Sequence, residues 1–390
     1  MKKLIIGILI LALIGVGCVY TFKIDVYKYF ETENNTNTKK KVVKVQDSDI
    51  KNSIFKDCYN KAVDTVSNMT IEEKIGQLFL VRYDRNSTDK FKEYYPGGYI
   101  LFAKDFENQT KESMKTELSN LQKNNKYKLI LGVDEEGGYV TRVSRYPAFR
   151  ESSFLSPRNY FDQGDLPLLE QMENEKATLL KSIGLNLNLA PVADVSVNKD
   201  DFIYNRAFGY DANKTSEYIK YMVRYANNNK INSTLKHFPG YGNNKDTHTG
   251  IAIDERDYQT FVNYDYLPFK AGIKENVPSV LVSHNIVKCM DEKYPASLSN
   301  KVIGELRNKL NFTGIVMTDD LAMDAVKKYV EDGNAATLAI NAGNDMIITS
   351  DFIDMREEVL KSYNENKISE ETINKAVLRV IAWKYYTGLF

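Results

Sequence analysis

Eight short apolar runs recur along this chain, and most are separated by a longer segment of helical period. The runs are Gln77–Val81, Gly98–Phe102, Leu129–Asp134, Leu185–Val192, Ser233–His237, Ser279–Ile286, Gly314–Thr318 and Asp345–Thr349. Each is too short for an ordinary helix and reads as a strand. The intervening segments include Lys111–Asn125, Leu168–Ile183, Thr215–Asn229 and Asn300–Leu310. Strands that alternate with helices imply a parallel sheet, and near-continuous apolar runs are what a sheet covered on both faces requires. Eight such units in about 330 residues predict a single closed (β/α)8 barrel of the α/β class. A doubly wound open sheet is the competing architecture, but no Gly-x-Gly-x-x-Gly turn follows the first run.

Composition narrows the class further. Hydrophobic residues make up 43% and charged residues 27%, which excludes a disordered chain. Lys plus Arg and Asp plus Glu are 52 each, so the balance carries no electrostatic footprint for nucleic acid. Lys2 and Lys3 precede an apolar run from Leu4 to Phe22. As a helix it spans roughly 28 Å, close to the hydrocarbon thickness of a bilayer. The charge ahead of it predicts an N-terminus held inside and an exported remainder, anchored at the extracellular face of the membrane. Modification of Cys18 as a lipoprotein is the alternative. The polar stretch ETENNTNTKKK from Glu31 to Lys41 reads as linker. The expected organisation is an anchor over residues 1–23, a linker over 24–49 and one barrel domain over 50–390. A C-terminal helix should start behind an N-cap at Ser369 and run through Val380 to Tyr385. Cys58 and Cys289 are too few for a disulfide framework and read as free thiols.

The catalytic face of such a barrel lies at the C-terminal ends of its strands. Five runs carry titratable groups within or just beyond those ends: Asp134, Asp194, Lys236 with His237, His284, and Asp319 with Asp320. A single loop carboxylate is commonly a cap or a partner for lysine. Five together point to a site built across the barrel mouth. Asp319 and Asp320 should divide their work, one facing the barrel axis as a nucleophile and the other capping a helix that begins at Leu321. The chain holds only three histidines, and two fall in Lys236-His-Phe-Pro-Gly-Tyr-Gly-Asn-Asn-Lys-Asp-Thr-His248. Imidazole moves protons near neutral pH, and Asp246, two residues before His248, can hold its tautomer and stabilise its charged form. The stretch reads as a proton-handling loop. The third histidine, His284, reads equally well as a satisfied core residue. The histidine spacing lacks a zinc-ligand pattern.

That stretch resembles the signature of glycoside hydrolase family 3, in the branch of β-N-acetylglucosaminidases. Other segments agree in order: Met69-Thr-Ile-Glu-Glu-Lys-Ile-Gly-Gln-Leu-Phe79, Gly97-Gly-Tyr-Ile-Leu-Phe102, Val133-Asp-Glu-Glu-Gly-Gly-Tyr-Val-Thr-Arg142, Ala190-Pro-Val-Ala-Asp194, Asn205-Arg-Ala-Phe208, Pro295-Ala-Ser-Leu-Ser299 and Val316-Met-Thr-Asp-Asp-Leu321. The resemblance covers the chain from about residue 55 to its end.

By that resemblance Asp319 is the catalytic nucleophile, and Asp246 with His248 is the general acid/base pair. Asp134, Arg142, Arg206, Lys236 and His237 hold the sugar nearest the nucleophile. The implied reaction is removal of terminal non-reducing N-acetylglucosamine from peptidoglycan fragments or chitin oligomers, with retention through a covalent glycosyl-enzyme. No metal or cofactor is implied; the partner is a carbohydrate, and membrane contact is through the N-terminal anchor alone. The chain departs from the family in two places. Three residues, Asn243-Asn-Lys245, separate Gly242 from Asp246 where four are usual, and Tyr139 stands where many relatives have arginine. The alternatives are a β-glucosidase or glycoside phosphorylase of the same family, or a surface protein that binds wall glycans without cleaving them.

Overall fold

All eight apolar runs form strands, and each runs parallel to its neighbours in one sheet. The computed structural model describes residues 48–244, 252–323, 326, 330 and 335–390. The expected anchor, nearly all of the linker, and the Asp246–His248 pair lie outside the described residues. Among those described, no helix is long and apolar enough to cross a membrane.

The strands are β1 (Phe79–Arg82), β2 (Gly98–Leu101), β3 (Ile130–Val133), β4 (Leu187–Asn188), β5 (Asn232–Phe238), β7 (Ser279–Val282), β9 (Ile315–Thr318) and β10 (Ile347–Thr349). A separate pair, β6 (Ile253–Asp254) and β8 (Ile286–Val287), lies outside that sheet. The order is β10-β1-β2-β3-β4-β5-β7-β9. A parallel bridge from Met317 to Met346 then brings β9 to the start of β10, with Thr318 N donating to Met346 O at 3.1 Å. The sheet therefore closes as the (β/α)8 barrel that the alternation predicts. Strand residues are almost all buried, as a sheet with side chains inside and helices outside demands.

Strand lengths differ from the apolar runs for local reasons. Leu185–Val192 keeps two ladder residues, and Pro191, which has no N–H to donate, interrupts it before Val192 returns as an isolated bridge to Lys236. The outer helices start on caps. Thr110 accepts from Ser113 N at 3.1 Å, ahead of Lys111–Asn124. Asp211 accepts from Asn213 N and Lys214 N at 2.9 Å, ahead of Ala212–Asn228. Ser369 accepts from Thr372 N at 3.0 Å and opens Glu370–Tyr386, as expected. This last helix closes the barrel's N-terminal end. Trp383 is fully buried and donates Nε1–H to Asn232 Oδ1 at 2.9 Å, and buried Lys384 donates to Gln77 Oε1 at 2.6 Å. The opposite mouth is left to the loops that carry the charged residues.

Candidate active site

β3 delivers three consecutive carboxylates, and each does something different. Asp134 accepts from Lys236 Nζ at 2.7 Å and has Arg142 Nη2 at 4.0 Å. Glu135 is fully buried and turns back into the structure, accepting from Arg142 N at 2.8 Å, Val143 N at 2.7 Å and the Ser144 hydroxyl. It thereby pins the backbone that presents Arg142. Its own N–H donates to Asn188 Oδ1 at 2.9 Å, which ties the loop to the end of β4. Glu136 accepts from Arg206 Nε at 3.1 Å, Arg206 Nη2 at 2.7 Å and Lys236 Nζ at 2.7 Å. Burial alone would push the Glu136 carboxyl up. The Arg206 and Lys236 charges overcome burial and hold it well below the usual carboxylate range. Burial would in turn lower Arg206, and the Glu136 charge more than reverses that. Gly137, with φ +99°, makes the tight turn between these carboxylates and Arg142. A Cβ there would stand 2.3 Å from Leu155 O.

β5 supplies Lys236 and His237 as neighbours. Pairing with β7 slips between Leu235 and Phe238, and such an irregularity lets consecutive side chains reach the same side. His237 is held by Asp194, whose Oδ2 accepts from His237 N at 3.0 Å and lies 2.7 Å from Nδ1. Asp194 Oδ1 accepts from Tyr241 N at 2.7 Å. A carboxylate at Nδ1 selects the Nδ1–H tautomer. Nε2 is then the acceptor for Arg206 Nη2 at 3.2 Å.

Asp319 closes the ring of residues. It extends the β9 ladder, its N–H donating to Val282 O at 3.0 Å, and its Oδ1 accepts from Asp320 N at 2.8 Å. Asp320 borders the same cavity, but its Oδ1 accepts from Ala322 N at 2.9 Å and Ser350 N at 3.3 Å. Burial, joined by the Asp319 charge, raises the Asp320 carboxyl. Leu321–Met323 form a turn and a bend, so Asp320 caps that turn and no helix begins at Leu321 itself; Val326, further on, is helical. His284 is buried behind the pair, with Nδ1 2.7 Å from Ser297 Oγ and Nε2 3.1 Å from Asp320 O. The carbonyl can only accept, so Nε2 carries the proton and Nδ1 accepts from the hydroxyl. His284 is thus a core residue that supports the turn after Asp319.

These groups surround one cavity of about 360 Å³ at the C-terminal mouth, within the usual size range of small-molecule sites. Asp134, Arg142, Arg206, Lys236, His237 and Asp319 all line it, with Phe102 and Phe202 as apolar walls. Phe102 carries Arg82 and Arg142 over its ring, at 4.1 and 5.3 Å to the centroid. Six of the eight residues singled out from sequence therefore meet. The other two, Asp246 and His248, lie outside the described residues. Glu136 is a site residue that the strand-end pattern does not single out. Its signal was available: three cations assigned to the site, Arg142, Arg206 and Lys236, call for more carboxylate than Asp134 and Asp319 provide. Asp194 had been noted as a strand-end carboxylate without a partner. Cys58 and Cys289 are free thiols.

Comparison with known proteins agrees with this fold. The model of the glycosyl hydrolase family 3 N terminal domain matches residues 70–383. A β-hexosaminidase from Nitrosomonas eutropha is 30% identical over 283 residues, covering 70% of this chain and 80% of that protein. A family 3 β-N-acetylglucosaminidase from Paenibacillus sp. FPU-7 superposes with a TM-score of 0.77 at 26% identity, over 82% of this chain and 63% of that one. A β-N-acetylhexosaminidase from Beutenbergia cavernae gives a TM-score of 0.74 at 25% identity, over 82% of this chain and 99% of that one. A barrel of eight parallel strands, a strand-end carboxylate facing a charged cavity, and a family match over most of its length together make this chain a glycoside hydrolase of family 3.

Proposed function

We propose that this enzyme is a retaining exo-β-N-acetylglucosaminidase that acts on peptidoglycan fragments or chitin oligomers. The observation that carries the reading is the meeting of Asp319 with Asp134, Arg142, Arg206, Lys236 and His237 around one cavity. The names of the relatives, β-hexosaminidase and β-N-acetylglucosaminidase, support the choice of sugar.

In this reading Asp319 attacks the anomeric carbon and forms a glycosyl ester as the glycosidic C–O bond breaks. His248 protonates the departing oxygen, and as neutral imidazole it then takes a proton from the water that cleaves the ester. Asp246 favours the imidazolium and so raises the His248 pKa. Asp134 accepts from sugar hydroxyls while Lys236, Arg206 and His237 orient the ring. Arg142 lines the same cavity and adds a further cation to the groups that hold the sugar. The N-terminal apolar run would hold the enzyme at the outer face of the membrane, where wall glycans lie.

Mass spectrometry after incubation with a fluorinated N-acetylglucosaminyl trap tests the assignment, with a mass increment on Asp319 expected. Asp319→Asn should lower turnover of the p-nitrophenyl glycoside by about 10³-fold or more, since it removes the nucleophile outright. A label on Asp320 would refute the nucleophile assignment. A product phosphorylated at the anomeric carbon in phosphate buffer would move the reading to phosphorolysis.

A further inference from the structure

Phe102 forms one wall of the reaction cavity, and two side chains outside that cavity hold it in place. Asp105 Oδ2 accepts from Phe102 N at 2.7 Å and from Arg82 Nη1 at 2.7 Å. Asp105 N donates back to Phe102 O at 3.0 Å. Arg82 Nη1 also donates to Ile100 O at 3.3 Å, so the exits of β1 and β2 are tied together. The Arg82 guanidinium then lies over the Phe102 ring, 4.1 Å from its centroid. Asp105 is 7% exposed. Charge-assisted bonds between desolvated partners hold geometry more strictly than surface ion pairs do.

Arg142 meets the same ring from the β3 loop, 5.3 Å from the centroid. Glu135 pins its backbone N–H at 2.8 Å, but its head group is held less directly. Nη2 stands 4.0 Å from Asp134 Oδ2, beyond hydrogen-bond length. The ring therefore carries much of the support at that end. A cation within about 6 Å of an aromatic centroid is attracted by the ring quadrupole, and more strongly where water is excluded. Two guanidiniums on one ring would repel each other. Each is matched by its own carboxylate, Arg82 by Asp105 and Arg142 by Asp134.

We propose that Arg82 and Asp105 are positioning residues for substrate binding: through the Phe102 ring they set the Arg142 guanidinium at the cavity wall. The proposal rests on the reading of Arg142 as a residue that holds the sugar. Arg82 and Asp105 do not line the cavity themselves, so their effect on the sugar is relayed through the ring. A side chain held in its binding orientation beforehand loses less freedom when the ligand arrives. Loss of that support weakens ground-state and transition-state binding alike, which raises KM and leaves kcat nearly unchanged.

Hydrolysis of p-nitrophenyl N-acetylglucosaminide by the full chain tests this as a double-mutant cycle. Arg82→Met should raise KM by about 5–30-fold, the worth of a desolvated contact between cation and ring. Its kcat should stay within about 3-fold of wild type. In an Arg142→Met background the same change should lower kcat/KM by less than about 2-fold, because the group it positions is gone. Equal losses in both backgrounds, no loss in either, or a loss confined to kcat would overturn the proposal. Should Arg82→Met fail to fold, Arg82→Met combined with Asp105→Asn leaves no unpaired buried carboxylate. That pair must show the same dependence on Arg142, and its absence refutes the relay. Arg142→Met alone is the control. If it leaves KM unchanged, the sugar-holding reading itself fails. If it raises KM and Arg82→Met does not, only the positioning role fails.

Discussion

Replacing Glu136 with glutamine keeps the shape of the side chain and removes its charge from beneath the sugar site. Glu136 is 4% exposed and holds Arg206 through two bonds and Lys236 through a third. Charge-assisted bonds contribute roughly 1.5–3 kcal/mol each. They share one carboxylate, so their loss is not a sum. Removing one member of a buried ion cluster, so that its partners stay buried without compensation, costs about 3–5 kcal/mol. With an unfolding entropy near 2.1 cal/mol/K per residue, a domain of about 340 residues changes stability by about 0.7 kcal/mol per degree at Tm. The expected drop in Tm for Glu136→Gln at pH 7 is therefore about 4–7 °C. Lys236 and Arg206, freed from their anchor, should also raise KM for the aryl glycoside by about 10-fold, equivalent to about 1.4 kcal/mol of binding.

The same carboxyl makes a second, independent signature. Its folded-state pKa lies well below its ordinary value. Its stability contribution is therefore present above the unfolded value of about 4.3 and is lost as pH falls toward the folded one. The Tm gap between wild type and Glu136→Gln should be widest above pH 6 and should narrow below about pH 4. Thermal unfolding followed by circular dichroism from pH 7 to pH 3 measures both effects. A Tm within about 1 °C of wild type at pH 7, or a gap that stays constant down to pH 3, would refute the reasoning.

Asp254 and Asp265 share the Arg256 guanidinium in a buried setting, so among the described residues one negative charge is in excess. Burial, with the Asp194 and Asp254 charges, pushes Asp265 up to about 7 against the pull of Arg256. A raised folded-state pKa contributes stability below the unfolded value and loses it as pH rises through the folded one. Wild-type stability should accordingly carry a falling component between about pH 4 and 7 that Asp265→Asn abolishes, measured as urea midpoints across that window. Asp194→Asn leaves His237 Nδ1 facing an amide that can turn either its oxygen or its NH2 toward the ring. The His237 tautomer loses its anchor, and KM should rise while the fold is retained, which nitrogen chemical shifts of His237 and steady-state kinetics together would reveal. An unchanged tautomer with unchanged KM would count against that role.

Much of this enzyme was legible because it depends on local pattern. Each strand needs only a short apolar run, and each helix needs a cap and a 3.6-residue period. Ser369 before Glu370–Tyr386 and the eight runs that became the barrel are of this kind. Asp319 was legible for the same reason, since a carboxylate just past an apolar run sits at a strand exit wherever that strand is placed. Errors arose where the backbone's own bonding overrode the pattern. Pro191 interrupted the run that holds β4, and Asp320 found Ser350 N on the next strand's exit as well as the turn at Ala322, where a helix start had been expected.

Sequence by itself thus determined the barrel and the strand-exit groups Asp134, Lys236, His237 and Asp319, because strand, helix and exit are written within a few residues of one another, whereas Arg142 and Arg206 were implied by the family resemblance. Tertiary structure alone decided which charges meet. Glu136 reaches Arg206 across 70 positions, Asp194 reaches His237 across 43, and Lys236 reaches Asp134 across 102. With 52 acidic and 52 basic residues in the chain, no spacing rule selects those partners. The selection is made by barrel closure and strand register, which bring β3, β4 and β5 side by side and leave their exits within hydrogen-bonding reach. Burial then makes any mismatched charge too costly to keep. The contacts of Arg256 with Asp254, Asp265 and Gly240 O have the same origin: these partners lie close in sequence, but only the folded path of Gly240 and Gly242 turns them toward a single guanidinium.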